Sequence, residues 1–529
     1  MVTPASNAGH RGWTYWPWHV LLLGAYPVLF LFAQNMVDAV RLDPLWGPLL
    51  LCIGAAAGLL VLFFALRRDW ARAGLMASAV LALFFSFGHV WGVVDEYLDQ
   101  KWLLGAIWIV WGLALVQIAW RGGRWVGPLT RVLNVALGLL VIYNLGSIGA
   151  YMASIHTFAG LTGEIPEVSV GPLGRPDVYY IVLDRYAGEE TLRRFFNYDN
   201  SEFLEALEDR GFDIAHDAWA NYFKTSLSVF STMTMDYLDA DKYDDDNPDS
   251  FGPVHAAFAQ RMAAPATFKQ LGYEYVHIAN WWEPTSRNAD ADITYRYSQE
   301  SEFSTILFAT TLLSVIQPDA SIEGGDTEEL HGNDLQRAHI LTGFESILEA
   351  SERSGPTFTF AHLTIPHPPY AFNEDGSEPT AEQQATRTDN EGYVEQLKYA
   401  NRRVLEVIDQ ILATHDPSEP DPVILIQADE GPFPPRFREQ GADFQWLEAT
   451  PDELQWKYNT LTAWRMPGVV PEDYGFYDRI SPVNMFRIFF DAYFNADLPI
   501  LPDKVYLSPD HDHMWDLHEY QRPEPSPSP

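Results

Sequence analysis

Hydrophobic patterning divides this 529-residue chain in two. Before residue 156, apolar residues run in long blocks with few charges; beyond it, short apolar runs alternate with amphipathic stretches. The blocks predict five membrane spans, at about 18–35, 45–66, 73–94, 102–120 and 132–152, each near the ~20 residues that cross the hydrocarbon. Further spans follow the first and no small-residue cleavage site is evident, so the first reads as an anchor and not a cleaved signal. Trp16, Trp18, Trp70, Trp91, Trp102, Trp120 and Trp125 fall near span ends, as an interfacial belt requires. Arg11, then Arg67, Arg68 and Arg72, then Arg121, Arg124 and Arg131 mark the stretches expected in the cytoplasm. The loops holding Asp38 and Asp43, then Asp95, Glu96 and Asp99, are expected outside. Five spans starting inside then deliver the C-terminal part outside, giving a multi-pass protein of the plasma membrane with an extracytoplasmic domain. His89, Asn134 and Asn144 lie within spans and are expected to hydrogen-bond between helices, not to line a substrate path.

In the second half, buried strands are expected at 178–183, 273–278, 357–363, 423–427 and 460–464. Helices are expected at 189–196, 201–210, 336–352, 394–413 and 483–494. This alternation predicts an α/β sandwich on a largely parallel central sheet, whose ligands sit at the carboxyl ends of strands. The division expected is a transmembrane domain over 1–155, a Gly- and Pro-containing linker over 156–176, a folded domain over 177–516 and a disordered tail over 517–529. The acidic stretches at 239–249 and 324–329 read as solvated loops.

Charge sharpens the picture. Nine Lys/Arg stand against six Asp/Glu before residue 156, so the net charge of −37 falls on the second half. Such a surface argues against nucleic acid as a partner. The one cysteine, Cys52, lies in a span. No intramolecular disulfide is available, and thiolates cannot hold a metal.

Several residues are placed for chemistry. Asp184 follows the 178–183 strand, and Asp429 with Glu430 follows the 423–427 strand. Carboxylates converging at strand ends suit a hard divalent cation, Mn²⁺ or Mg²⁺ before Ca²⁺. Taken singly, each Asp reads equally well as a cap or turn residue. Thr225 enters a helical stretch, where a hydroxyl near the helix N-terminus can meet an anionic phosphorus centre and be activated as a nucleophile by a nearby metal. Ser226 and Ser228 are the alternatives, and from spacing alone an ordinary N-cap is the commoner reading of Thr225. His362 and His367 straddle the end of the 357–363 strand and can bind an anion or protonate a leaving group. His511, His513 and His518 resemble a metal cluster in composition but read as surface.

Taken in order, strand–Asp184, the run Asn221-Tyr222-Phe223-Lys224-Thr225-Ser226, the run Pro366-His367-Pro368-Pro369-Tyr370 and strand–Asp429 resemble the sulfatase and alkaline phosphatase superfamily. With five spans in front, the chain looks like its lipoteichoic acid synthase group and the related phosphoethanolamine transferases. That resemblance, over about 175–500, implies an alkaline phosphatase-like fold and a metal held by Asp184, Thr225, Asp429 and the residue after it, with Thr225 as nucleophile and His367 and His362 on the substrate phosphate. It further implies a phospholipid donor and an envelope glycopolymer acceptor. Two positions depart from the family. Glu430 stands where the family has His, and keeps an oxygen ligand for a hard cation. Arg185 stands where Gly is frequent, and offers a guanidinium to a phosphate. The function expected is a membrane-anchored, metal-dependent phosphoryl-group transferase acting through a Thr intermediate. The alternatives are a phosphate or sulfate ester hydrolase and a non-catalytic envelope protein that keeps the fold. The C/S-x-P-x-R motif of cysteine-type sulfatases is absent.

Overall fold

The structure is a computed structural model describing residues 16–36, 42–94, 98, 100–156, 163–239, 251–259, 261–297, 302–316, 333–510 and 513–522. Residues 240–249 and 324–329 of the acidic stretches, Arg11, Asp38, Asp95, Glu96, Asp99 and His511 lie outside the described residues. The chain forms two compact units, one of residues 1–154 with 300–330, the other of 155–299 with 331–529.

The first unit contains five apolar helices: α1 (His19–Gln34), α2 (Asp43–Arg67), α3 (Trp70–Val94), α4 (Lys101–Trp120) and α5 (Val126–His156). The last four are long and apolar enough to cross a membrane, while α1 is shorter, at 16 residues. Leu50, Leu51, Val61, Trp111 and Leu113 are exposed on the bundle. Helices apolar all round with such exposure are built for lipid. Close packing uses small residues: a Cβ at Gly24 of α1 would meet Ala56 Cβ of α2 at 2.8 Å. Asn134 does bond between helices, its Oδ1 accepting from the His19 backbone N–H at 2.7 Å. Asn144 instead donates to Leu140 O of its own helix.

The second unit is built on a seven-stranded sheet. Its strands are β1 (Val178–Leu183), β2 (Asp213–Ile214), β3 (Glu274–Ile278), β4 (Ile293–Tyr295), β5 (Thr357–Leu363), β6 (Val423–Gln427) and β7 (Thr462–Arg465), in the order β2-β7-β6-β1-β5-β3-β4. β6, β1, β5, β3 and β4 run parallel, and β7 runs antiparallel to β6. β1, β5 and β6 are buried along their whole length, which explains the apolar runs at 178–183 and 423–426, while β5 interleaves Thr and His with Phe and Leu. On one face Tyr179, Ile181 and Leu183 join a core with residues such as Phe344, Leu397 and Val404. On the other, Tyr180 packs edge-on against Phe486.

Among the helices of this unit are α6 (Thr225–Thr234), α8 (Asn333–Ser351), α9 (Asp389–Thr414) and α10 (Met485–Phe494); α7 (Glu302–Ala309) belongs to the first unit. A capping box of Thr388 and Glu391 starts α9. Residues 518–522, within the stretch expected as a tail, are folded. β9 (His518–Tyr520) pairs antiparallel with β8 (Val505–Leu507), Tyr520 stacks on Trp219, and Arg522 bonds Asp217. Three-residue strands carry too little periodicity to be read from sequence.

Candidate metal and nucleophile site

β1 lies between β5 and β6, so the ends of three parallel strands meet. Val182 is in register with His362, and the Asp184 backbone N–H donates to Leu363 O at 3.0 Å. Asp184 is thereby flanked by His362 on β5 and by Asp429 beyond β6. Ligand atoms of Asp184, His362 and Asp429 all lie within 4.8 Å of one another, and all three side chains are buried. Among the described residues this is the convergence that fits a metal ion.

The chain turns sharply after β1 through Arg185, at φ 61°. This left-handed conformation costs a non-glycine residue roughly 1–2 kcal/mol. Two contacts offset it. The Arg185 backbone N–H donates to Asp429 Oδ1 at 3.1 Å, and its Nε donates to Glu430 Oε1 at 3.2 Å. The guanidinium also covers the Phe433 ring, 4.4 Å from its centroid.

Glu430 is not among the three converging residues. Its Oε1 accepts from Arg185 and stands 2.8 Å from Lys457 Nζ, with all three side chains buried. Lys457 also donates to Gly431 O at 3.1 Å and sits 3.5 Å over Phe433. Of the expected ligands Asp184, Thr225, Asp429 and Glu430, the converging set contains Asp184 and Asp429, joined by His362, while Glu430 Oε1 is engaged by two cations. Arg185, expected on a substrate phosphate, gives its Nε to Glu430.

Thr225 opens α6 and is half-buried. Lys224 before it is extended, at φ −129° and ψ 137°. The loop leading in is held from both sides: Ala220 N–H donates to Tyr458 O at 2.7 Å, and Asn221 Nδ2 donates to Lys504 O at 2.7 Å. The Thr225 hydroxyl faces Asp429 and pulls its pKa down as a hydrogen-bond donor. Of the two alternatives, Ser228 donates to Tyr222 O at 3.0 Å and Ser226 is buried.

Electrostatics follow from burial and crowding. Asp429 is raised to about 7 by burial, then by the like charges of Asp184 and Glu430, with His362 and Thr225 opposing. Burial alone would raise Asp184 too, but His367, His362 and Arg185 outweigh it and hold it low. Burial opposes a proton on His362, whose pKa is nonetheless raised by Asp184, Asp429 and Glu430. His362 Nε2 stands 3.4 Å from Asp184 Oδ2. Its Nδ1 lies 3.2 Å from Thr285 Oγ1, which itself donates to Asn280 Oδ1. Asn280 Nδ2, a donor, lies closer to that Nδ1, at 2.9 Å, which leaves Nε2 turned to Asp184 and the triad. His367, on the Pro-rich turn, is buried near enough to Asp184 to stabilise its charge. Gln396 Nε2 fixes that turn by donating to His367 O at 2.8 Å.

The fit of this pocket to a cation rests on its orphaned atoms. Asp184 Oδ1, His362 Nε2, Asp429 Oδ2 and Glu430 Oε2 are buried and lack hydrogen-bond partners. Unpartnered buried carboxylate oxygens are expensive unless a cation completes them. His513 and His518 are exposed and pair with Asp510 and Asp516, away from any such convergence. The burial of Lys457 against Glu430 and the closeness of His362 to Asp184 are not marked by any local sequence pattern.

No family model and no curated protein matches this chain. Solved structures do. The integral membrane protein lipooligosaccharide phosphoethanolamine transferase A from Neisseria meningitidis is similar at 13% identity and a TM-score of 0.39, over 90% of this chain and 96% of that one. The C-terminal periplasmic domain of EcEptC from Escherichia coli, in complex with Zn, is similar at 13% identity and a TM-score of 0.42, over 66% of this chain and 99% of that one. The lipoteichoic acid synthase LtaP from Listeria monocytogenes is similar at 12% identity and a TM-score of 0.38, over 68% of this chain and 84% of that one.

Proposed function

We propose that this chain is a membrane-anchored, metal-dependent phosphoryl-group transferase that works through a phospho-Thr225 intermediate. One observation carries the reading: a half-buried hydroxyl at a helix N-terminus stands beside a buried Asp184–His362–Asp429 triad whose inward atoms lack partners. Asp184, His362 and Asp429 would hold a divalent cation, with Thr225 adjoining. Two carboxylate oxygens and one imidazole nitrogen suit Zn²⁺ or Mn²⁺ better than the all-oxygen preference of Mg²⁺ or Ca²⁺. When bound, such an ion supplies Lewis acidity at a phosphoryl oxygen and favours the alkoxide of a nearby hydroxyl.

The remaining roles belong to the chain. Thr225 Oγ1 forms a bond to phosphorus of a phosphodiester, and the bond to the departing alcohol breaks. His367, near Asp184 on a fixed turn, is placed to hold a phosphate oxygen or hand a proton to the departing oxygen. Arg185 orients Asp429 through its backbone N–H. A second alcohol then takes the phosphoryl group from Thr225. A phospholipid donor and an envelope glycopolymer acceptor suit an enzyme anchored in the bilayer, because anchoring raises the effective concentration of a lipid substrate. The Arg residues between α2 and α3 and between α4 and α5 favour a cytoplasmic location for those connections, hence an extracytoplasmic second unit.

The test is intact mass spectrometry of the full chain in lipid nanodiscs, incubated with Zn²⁺ or Mn²⁺ and envelope phospholipid, beside Thr225→Ala. The expected result is an adduct on the wild type that Thr225→Ala lacks, with a mass naming the transferred group. Phospholipid turnover by Thr225→Ala at the wild-type rate would sink the nucleophile assignment. Release of phosphate-bearing headgroup to water, with no transfer to an added alcohol, would favour the hydrolase.

A further inference from the structure

The second unit is interrupted between β4 and α8, where residues 300–330 group with α1–α5. The described part is α7 (Glu302–Ala309) and a 3₁₀ turn, Leu312–Ile316. From Phe303 to Ile316 it carries no charged residue. We propose that this excursion is a re-entrant element seated in the bilayer, with α3 as its receptor and lipid acyl chains as its partner on the outer face of the turn.

Three observations carry this. The first is close seating. Gly88 N–H of α3 donates to Thr310 O at 2.9 Å, and a Cβ at Gly88 would lie 2.3 Å from Ala309 O. Only glycine admits that approach. Leu307 is buried in the cluster of Val28, Leu29 and Phe32 of α1, and Phe303 meets Phe32 edge-on at 5.4 Å. The second is the treatment of backbone polar groups. A lone helix of eight residues reaches ~12 Å and cannot span ~30 Å of hydrocarbon. Backbone that ends at membrane depth must satisfy its own polar groups. Here Thr310 Oγ1 donates to Leu307 O and Thr311 Oγ1 to Phe308 O, each at 2.8 Å, and Gly88 takes up Thr310 O. The third is the outward face. Ile316 is 79% exposed and Leu313 44%, on an element otherwise packed against apolar helices. Large aliphatic groups displayed beside membrane helices match acyl chains.

The excursion gives the second unit chain connections to the first near residues 300 and 330, in addition to the one near 155. The test uses the full chain in liposomes, with Cys52→Ala and a nitroxide label on Ile316→Cys or, as control, on exposed Glu382→Cys. Power-saturation EPR compares collisions with oxygen, which partitions into lipid, and with a water-soluble nickel chelate. Oxygen should exceed nickel several-fold at position 316, with the reverse at 382. Nickel dominance at both would overturn the proposal. Adding Gly88→Ala should move the 316 signal towards nickel, and an unchanged signal would overturn α3 as receptor. Should that variant fail to accumulate, the label at 316 decides alone, because the side chain it replaces is largely unpacked.

Discussion

Lys457 pairs with Glu430 at 2.8 Å, both side chains buried, and removing it should be costly. Lys457→Met retains the apolar stem but leaves Glu430 to Arg185 alone, at 3.2 Å, with both side chains buried. Breaking a buried ion pair by deleting one partner costs about 3–5 kcal/mol. The second unit has roughly 340 residues, and at ~2.1 cal/mol/K of unfolding entropy each it loses ~4–7 °C in Tm for that change. Glu430→Gln should cost a similar amount by stranding a fully buried ammonium 2.8 Å from an amide. The double variant should recover part of this, with a coupling of about 2 kcal/mol. The assay is thermal unfolding of the full chain in one detergent, followed by near-UV circular dichroism with EDTA present, so that bound metal does not add to stability. Strictly additive losses, or a Lys457→Met chain melting within about 1 °C of wild type, would refute the mutual dependence of the pair.

Cation binding separates the triad from its neighbour. By calorimetry with Zn²⁺ or Mn²⁺, Asp184→Asn, His362→Gln and Asp429→Asn should each weaken binding by at least about 10–100-fold, while Glu430→Gln stays within a few-fold. The opposite ranking would make Glu430 a ligand. Acid stability has a different source. Burial lowers His339 from 6.5 to about 4, so between those pH values the unfolded chain takes a proton that the native one refuses. Its contribution is complete above pH 6.5 and is lost as pH falls to about 4, amounting to about 2 kcal/mol after allowance for partial exposure. His339→Phe should therefore lose less Tm between pH 7 and pH 4.5 than wild type, and equal losses would refute the assignment.

Much of this arrangement is legible in the sequence, for a definable reason. β1, β5 and β6 are buried on both faces, so β1 and most of β6 are apolar runs, and a carboxylate just beyond such a run stands out. Asp184, Asp429 and the Thr225 helix start are visible on that basis. The closeness of His362 to Asp184 is not legible, because only the order β6-β1-β5 brings the two together. Lys457 sits in an ordinary charged helical stretch, and nothing local marks it as buried. The 303–316 run is too short for a span and too apolar for a surface loop, and its place was set by Gly88, far away in sequence. Four of the five anticipated strand positions began within a residue of their observed starts. The strands missed, β2, β4, β8 and β9, are two or three residues long.

The triad also has a history within each molecule. Its members sit at residues 184, 362 and 429, on strands that are neighbours in space but far apart along the chain. A growing polypeptide has β1 in hand long before β6 exists, and the sheet cannot place Asp429 beside Asp184 until both flanking strands have been added. Any reactivity of Thr225 is therefore latent while the chain is being made. Thr225 emerges early, and the triad beside it stays incomplete until about four-fifths of the protein has left the ribosome, a delay enforced by strand order alone.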